Sequence, residues 1–464
     1  MTNVLVDGIF HEERLVPASG IAYLAAHLRK RGFSVKLFAP NNLRMNEEQT
    51  ATWLLKQRSK FIGVSLLTRF TFPSFRKLAY FLRAGGYTGF LCVGGYEASS
   101  VYKQLLDESP GLDCVIVGYG EETCAELLEC LQSSRDWRNL AGLARRVAGG
   151  EAKYNGPRPI KSPDEYPLIA VDLIEELVDS YGASVRIDLV TSRGCYADCS
   201  YCSVKTFTRL QNAQPYQMRS VSTVVDEIEM IQQRLNVTHF CFTDDNFLVP
   251  GRSGIRKAKE FSKLIKERGL KLHLTLRTRP ECVTYEAISL LKEAGLCDIF
   301  IGTESFDQGT LDLYHRNNTV EQSLHALDVF ESLGFSASVD AQLRVRVGSM
   351  IFHPYVTLEA LYKQARHFRK YRISAKNLVK HLYRVPGARL CRQLEQEGLL
   401  NKDGEYNYVH PEVSKVYHTL RKFYSEYMSV REDIRTIEKN VACTSCYLTL
   451  VVSEKFALIW ITAL

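Results

Sequence analysis

The chain has 464 residues, 45% of them hydrophobic and 11% aromatic, a composition that supports about two to four folded domains and excludes global disorder. Lys+Arg 59 against Asp+Glu 52 leaves a formal charge of +7 with no basic run of five or more, too diffuse to argue for a nucleic-acid partner. No stretch reaches the roughly 18 apolar residues of a membrane span. Met1-Thr2-Asn3-Val4 lacks the basic flank of a signal peptide, so the expectation is a soluble, cytoplasmic chain. In that setting its 13 cysteines serve as ligands, redox groups or buried thiols.

In chain order, residues 1–135 alternate short apolar strands with amphipathic helices. Strands are predicted at Val4–Ile9, Ser34–Phe38, Phe61–Leu66, Phe90–Val93 and Cys114–Val117. A helix is predicted over Gly20–Arg31, with Ile21, Leu24, Ala25 and Leu28 at helical spacing and Gly32 as its stop. This alternation predicts an α/β, doubly wound parallel sheet that binds ligands beyond the carboxyl ends of its strands. Residues 136–182 hold Pro157, Pro159, Pro163 and Pro167 and read as a linker.

From 183 to 400 the alternation resumes in longer units. Strands are predicted at Val185–Val190, Thr238–Phe242, Leu272–Leu276, Asp298–Ile301, Val345–Ile351 and Asn377–Leu382, with a helix over Val221–Leu235. Six β/α units predict a partial (β/α)6 barrel whose site lies at the strands' carboxyl ends. Residues 401–464, rich in tyrosine (Tyr406, Tyr408, Tyr417, Tyr424, Tyr427), are expected to form a small helical cap.

The strand Val185–Val190 runs directly into Thr191-Ser192-Arg193-Gly194-Cys195-Tyr196-Ala197-Asp198-Cys199-Ser200-Tyr201-Cys202. Three thiols in one tight loop can reach three corners of a cubane iron–sulfur cluster and leave the fourth iron open. Structural zinc takes four ligands, and no local histidine or fourth cysteine completes such a set. With the aromatic Tyr201 before the last cysteine, the loop resembles that of radical S-adenosylmethionine (SAM) enzymes. The resemblance implies a [4Fe-4S] cluster on Cys195, Cys199 and Cys202, with SAM on the open iron as the source of a 5′-deoxyadenosyl radical.

Further segments resemble that family. Phe242-Thr243-Asp244-Asp245-Asn246-Phe247 is similar to the segment holding the SAM amino group, which implies contacts from Asp244 and Asp245. Ile301-Gly302-Thr303-Glu304-Ser305 looks like the family's Gly-x-Glu-Ser segment and implies roles for Glu304 and Ser305. Arg277 and Arg279 before Pro280 resemble an Arg-x-Arg-Pro run, from which Arg277 is assigned to SAM together with Tyr201. The fifth strand lacks the usual Gly-x-Pro-x-Glu and carries His353 and Tyr355 instead, where substrate contact and an ordinary loop role are both open.

The amino-terminal module resembles cobalamin-binding domains. Ser65-Leu66-Leu67 and Gly94-Gly95, with Glu97 beyond, match their Ser-x-Leu and Gly-Gly pair, in which glycine lets the backbone approach the nucleotide tail. Gly118, Gly120 and Glu121 in Val117-Gly118-Tyr119-Gly120-Glu121 resemble the Gly-x-Gly-Glu turn of cobalamin-dependent radical enzymes. Pro17-Ala18-Ser19-Gly20 is similar to the start of their first helix. No Gly-x-Gly-x-x-G follows the first strand, which argues against a dinucleotide. No Asp-x-His-x-x-Gly is present, so the resemblance implies a cobalt without a histidine ligand; His11 lies outside any such motif, and His27 is read as a solvated helix residue.

The resemblance implies a cobalamin-dependent radical SAM enzyme that methylates an unactivated carbon of a small metabolite or natural-product precursor through methylcobalamin. It also implies an electron donor such as flavodoxin or ferredoxin. The alternative within enzymes is a rearrangement or cyclisation without methyl transfer. A cobalamin or redox sensor is disfavoured, because a sensor needs no open iron. A methylthiotransferase would need three more ordered cysteines near the amino terminus, and none precedes Cys92. Cys92, Cys114, Cys241, Cys282, Cys297 and Cys391 read as core thiols. Cys443 and Cys446 form no complete metal set.

Overall fold

The computed structural model describes residues 2–8, 19–68, 71–212, 214–338, 341–401 and 404–440. Pro17, Ala18, His11, Cys443 and Cys446 lie outside them. The chain divides into two compact units, the first of Met1–Tyr196, Ser203–Phe247 and Glu260–Thr275 and the second of Ala197–Cys202, Leu248–Lys259 and Leu276–Leu464.

The first unit opens with strands β1 (Thr2–Asp7), β2 (Ser34–Phe38), β3 (Phe61–Ser65), β4 (Phe90–Gly94) and β5 (Cys114–Ile116). They are followed by β6 (Leu143–Arg146) and β7 (Ala152–Tyr154) in a seven-stranded sheet of order β2-β1-β3-β4-β5-β6-β7. The first five strands are parallel, as expected when helices cover both faces. Val4, Val6, Ile62, Val64, Leu91, Val93 and Val115 are buried along them, packed by Phe75, Leu78 and Leu82 of the helix Phe72–Ala84. Apolar residues at nearly every strand position are the pattern of a sheet buried on both faces. The strand order reverses between β1 and β3, so the switch-point crevice opens at the carboxyl ends of β1 and β3.

Two expectations change here. The segment predicted as a linker adds β6 and β7 to the sheet in antiparallel register, because Leu143 and Ala144 have no exposure and need a covered face. His27 is buried rather than solvated, between Glu122 at 3.6 Å and the edge of the Tyr166 ring, and burial lowers its pKa.

The first unit continues through β8 (Arg186–Leu189), β9 (Ser192–Gly194), β10 (Tyr216–Met218) and β11 (His239–Phe242), and ends within β12 (His273–Thr278). β8, β11 and the start of β12 are parallel neighbours. The helix Val221–Leu235 has the predicted bounds, with Ser220 capping its amino end and Val224, Val225, Ile228 and Ile231 buried.

Glu227 in that helix has no exposure. Its carboxylate accepts from Tyr23 OH at 2.7 Å, the Ile169 amide at 2.7 Å and Arg219 Nη1 at 2.6 Å. Burial and the neighbouring carboxylate push the Tyr23 phenol well above its usual pKa. Removing one partner of a buried, hydrogen-bonded ion pair strands the other charge. Glu227→Gln should therefore cost about 3–5 kcal/mol, read as a lowered midpoint in denaturant or thermal unfolding. A loss within 0.5 kcal/mol would mean that Arg219 and Tyr23 find other partners.

In the second unit β13 (Leu296–Glu304) pairs with β14 (Arg344–Ser349) in parallel, with a register shift between Gly302 and Glu304. The sixth predicted strand is not formed. Residues Ala375–Val379 make a 3-10 turn, and only Phe352 and His381 bridge. Ser374, Lys376 and Asn377 favour a turn over a strand, so the barrel region has five parallel strands among the described residues. The carboxyl-terminal region is helical over Pro411–Asn440, where Tyr417 meets His381 Nδ1 at 3.2 Å. Among the described residues no helix is long and apolar enough to cross a membrane.

His353 is buried in the second unit, with Nε2 3.1 Å from Thr310 Oγ1 and its ring edge-on to Tyr314. Burial lowers its pKa from 6.5 to about 4. The unfolded chain therefore takes up this proton first, so the stabilisation is complete above about pH 6.5 and lost as pH falls through 4. The loss corresponds to about 3 kcal/mol, measurable as the pH dependence of unfolding. His353→Asn should flatten that dependence between pH 4 and 6.5; an unchanged slope would assign it to other groups.

Candidate active site

The cysteine loop leaves β8 and is shaped by contacts inside the first unit. Asp244, 2% exposed at the end of β11, accepts from the Thr191 amide at 2.7 Å and Ser192 Oγ at 2.8 Å, and also from the Thr191 hydroxyl. Arg219 donates through its amide to Thr191 O and through Nη1 to Val190 O. Gly194, at φ 75°, sits where a Cβ would meet Pro215 O at 2.2 Å, so the turn into Cys195 requires glycine.

This changes the reading of three residues. Asp244 was expected at SAM, but both its oxygens brace the base of the loop. Asp245 is exposed and meets Tyr96 OH at 3.3 Å. Glu121, expected at cobalamin, forms a buried ion pair with Arg193, two residues before Cys195. The Arg193 guanidinium lies 4.6 Å from the Tyr119 ring centre and 5.1 Å from that of Tyr166, a cation held against two π faces. The Tyr119 amide donates to Gln211 Oε1 at 2.8 Å, and a Cβ on Gly118 (φ 99°) would strike that side chain.

The other cobalamin candidates gather at the carboxyl ends of β3 and β4. Ser65, Leu67, Gly94, Gly95 and Glu97 are all partly exposed. The Leu66 amide donates to Gly94 O at 2.8 Å, and the Glu97 amide to Leu66 O at 3.1 Å. Gly95 has φ 107°, and a Cβ there would lie 2.5 Å from Leu66 O; a Cβ on Gly94 would meet only Ile116, at 3.5 Å. Gly95 therefore serves the backbone, whereas Gly94 leaves a bare strand end at the crevice, which suits close approach of a bulky planar ligand. Gly120 likewise leaves room, with Ile116 at 3.6 Å.

In the second unit the loop continues with Cys199, 8% exposed, and Cys202, partly exposed. Ser200 anchors it through its amide to Tyr314 O and its hydroxyl to Leu313 O, both at 2.9 Å. Arg389 bonds Asp198. Arg279 Nη1 points at Cys199 Sγ at 3.2 Å, and Arg316 Nη1 lies 3.8 Å from the same sulfur and 3.5 Å from Tyr201 OH. Burial and Glu304 raise the Tyr201 pKa, so its phenol stays neutral. Two buried cations on one thiol suit a thiolate that ligates an anionic cluster.

Glu304 sits at the register shift with φ 63°, 3.9 Å from Arg316 Nη1. Ser305, expected at SAM, is fully buried and engaged by Gln364 Nε2 and the Asp307 amide. Arg277 is exposed, 6.0 Å from the Phe300 ring. Arg279, one residue past the end of β12 and just before the 3-10 turn at Pro280, lies against Cys199 instead. Arg316 was not foreseen; nothing in His315-Arg316-Asn317 marks it before the fold brings its Nη1 to Cys199. Cys92, Cys114, Cys241, Cys282 and Cys391 are buried as expected, Cys297 only partly, and the eleven described cysteines form no disulfide. Among the described residues no three His, Cys, Asp or Glu side chains close around a single metal ion.

Residues 13–128 match the B12 binding domain and residues 189–366 the Radical SAM superfamily. The chain is 27% identical over 328 residues to an uncharacterized methyltransferase of Pyrococcus horikoshii, covering 69% of this chain and 68% of that one. It is 24% identical over 363 residues to the anaerobic magnesium-protoporphyrin IX monomethyl ester cyclase of Rubrivivax gelatinosus, covering 75% and 62%. The chain thus spans about two thirds of the length of these curated relatives. The structure of OxsB, a cobalamin-dependent SAM radical enzyme with aqua-cobalamin and SAM bound, superposes with a TM-score of 0.78 at 18% identity, covering 97% of this chain and 70% of OxsB. The fold is shared with OxsB, and the chain joins a B12-binding domain to a radical SAM domain, which makes it a member of the cobalamin-dependent radical SAM enzymes.

Proposed function

We propose that the chain methylates a carbon atom of a small-molecule substrate. The observation that carries the reading is the cysteine loop, whose Cys199 faces two buried guanidiniums, in a chain that also holds a glycine-bare crevice for cobalamin. When bound, the cluster with SAM supplies a 5′-deoxyadenosyl radical, and cobalamin supplies a transferable methyl group.

The chain's own residues position these groups. Cys195, Cys199 and Cys202 hold the cluster. Asp244 and Arg219 fix the root of their loop in the first unit; in the second, Tyr201 and Glu304 both neighbour Arg316. Ser65, Leu67, Gly94 and Gly120 form the cobalamin face, with Glu97 at its rim. The methyltransferase of Pyrococcus horikoshii favours methyl transfer. The cyclase of Rubrivivax gelatinosus favours a ring closure as the second reading. A low-potential one-electron donor of the flavodoxin or ferredoxin kind supplies the reducing electron. The cytoplasm, whose thiol poise keeps cysteines reduced, suits the eleven described cysteines, which form no disulfide among themselves. We place the amino-terminal sheet domain at 1–154, since β6 and β7 complete its sheet, the barrel domain at 183–400, and the cap at 401–464.

Anaerobically reconstituted protein should hold about four irons per chain. The triple variant Cys195→Ala, Cys199→Ala, Cys202→Ala should lose them along with all 5′-deoxyadenosine formation. Turnover with methyl-deuterated SAM should give a product heavier by the labelled methyl, with 5′-deoxyadenosine and S-adenosylhomocysteine both formed. Unlabelled product with 5′-deoxyadenosine alone would establish the ring-closure reading instead.

The two glycines separate binding from folding. Gly94→Trp should fold with wild-type stability and lose hydroxocobalamin binding, measured by retained absorbance after gel filtration. Gly95→Ala should lose about 1–3 kcal/mol of stability through its strained backbone. Full cobalamin retention in Gly94→Trp would move the site away from the end of β4.

A further inference from the structure

We propose that Arg279 and Arg316 are positioning residues that set the reduction potential of the cluster, raising it through the sulfur of Cys199. The inference rests on the reading of Cys199 as a cluster ligand. Arg279 is 5% exposed and Arg316 3%, yet each turns Nη1 toward the same thiol, at 3.2 and 3.8 Å.

Their remaining donors are fixed by the protein. Arg279 pairs with Glu281 and donates to Arg316 O. Arg316 donates to Gly302 O and reaches Asn318 Oδ1 at 3.2 Å and Tyr201 OH at 3.5 Å. Its only carboxylate neighbour among the described residues, Glu304, stands 3.9 Å away. The charge of Arg316 is permanent, since a guanidinium stays protonated in proteins. Arg279 thus has a close carboxylate partner. Arg316 is the less neutralised of the two and carries more of the effect.

The physical argument is electrostatic. Reduction adds one electron to the cluster from a low-potential one-electron reductant and moves no proton, so the ligated cluster becomes one unit more negative. Two fixed cations within hydrogen-bonding reach of a ligating sulfur stabilise the reduced form more than the oxidised form. Burial strengthens this, because no solvent screens the charges. Net charge and hydrogen bonds to the sulfurs are among the quantities that set such potentials. Both arginines reach the sulfur only in the folded chain: 37 residues separate them, and Arg279 lies 80 residues beyond Cys199.

The test is an electron paramagnetic resonance redox titration of the reconstituted full chain, in which dithionite supplies the electrons, with iron content measured in parallel. Arg316→Gln should keep its iron and fall at least tenfold in reduced-to-oxidised ratio at a fixed poise, about 59 mV for a one-electron couple. Arg279→Gln should shift the same way by less, and Arg316→Lys, which keeps the charge, should recover most of the wild-type value. A potential unchanged in both Gln variants at full iron content overturns the proposal. If the Gln variants hold no iron, Arg316→Lys decides. A loaded Lys variant near the wild-type potential supports the tuning role; loss of iron there too makes the arginines structural and overturns it. Full iron in the triple cysteine variant would instead overturn the ligand assignment itself.

Discussion

A single fully buried carboxylate organises the first unit. Glu227 collects a phenol from the first helix, an amide from the segment before residue 170 and a guanidinium from the residue after β10. Each donor belongs to a different stretch of chain, so one charge aligns the amino-terminal sheet's helix, the crossing segment and the start of the barrel. A buried carboxylate is costly unless every lone pair is matched, and here the matching partners are supplied from three directions. Arg219, held by Glu227, passes the constraint on by donating to Val190 and Thr191, where the cysteine loop begins.

The loop is held from a second side by the amino-terminal module. The turn expected to face cobalamin also carries Glu121, and its ion pair with Arg193 sits two residues before Cys195. The buried Arg193 between Tyr119 and Tyr166 satisfies the rule that charges leave water only with partners. One turn thus serves two purposes, with Gly120 leaving room beside Ile116 and Glu121 held on the cysteine loop. Asp244 completes the arrangement, closing the loop's base with three donors.

In the second unit the loop meets a different environment. Ser200 and Asp198 are anchored to Tyr314, Leu313 and Arg389. Cys199 faces two buried guanidiniums instead of carboxylates. Glu304 stays in a left-handed conformation at the strand's register shift, a strain that the surrounding packing maintains.

Much of the fold was legible in the sequence because apolar runs and helical stripes are local. Ser34–Phe38 and Val221–Leu235 were read with the bounds they have, and the order of a sheet module before a barrel module followed from alternation alone. The three thiols were legible because a metal site written into one loop needs no tertiary information. The missed elements depended on distant partners. β6 and β7 form because an open sheet edge accepts them, and Asn377–Leu382 turns where a period of apolar residues is absent. Asp244, Glu121 and Ser305 carry the right chemistry for a ligand but are engaged by Thr191, Arg193 and Gln364. The sequence determined which residues could act; only the fold decided which polar groups remained available and which cations, Arg279 and Arg316, reached the sulfur. The reason is that a side chain's partners come from chain segments whose proximity no local pattern encodes.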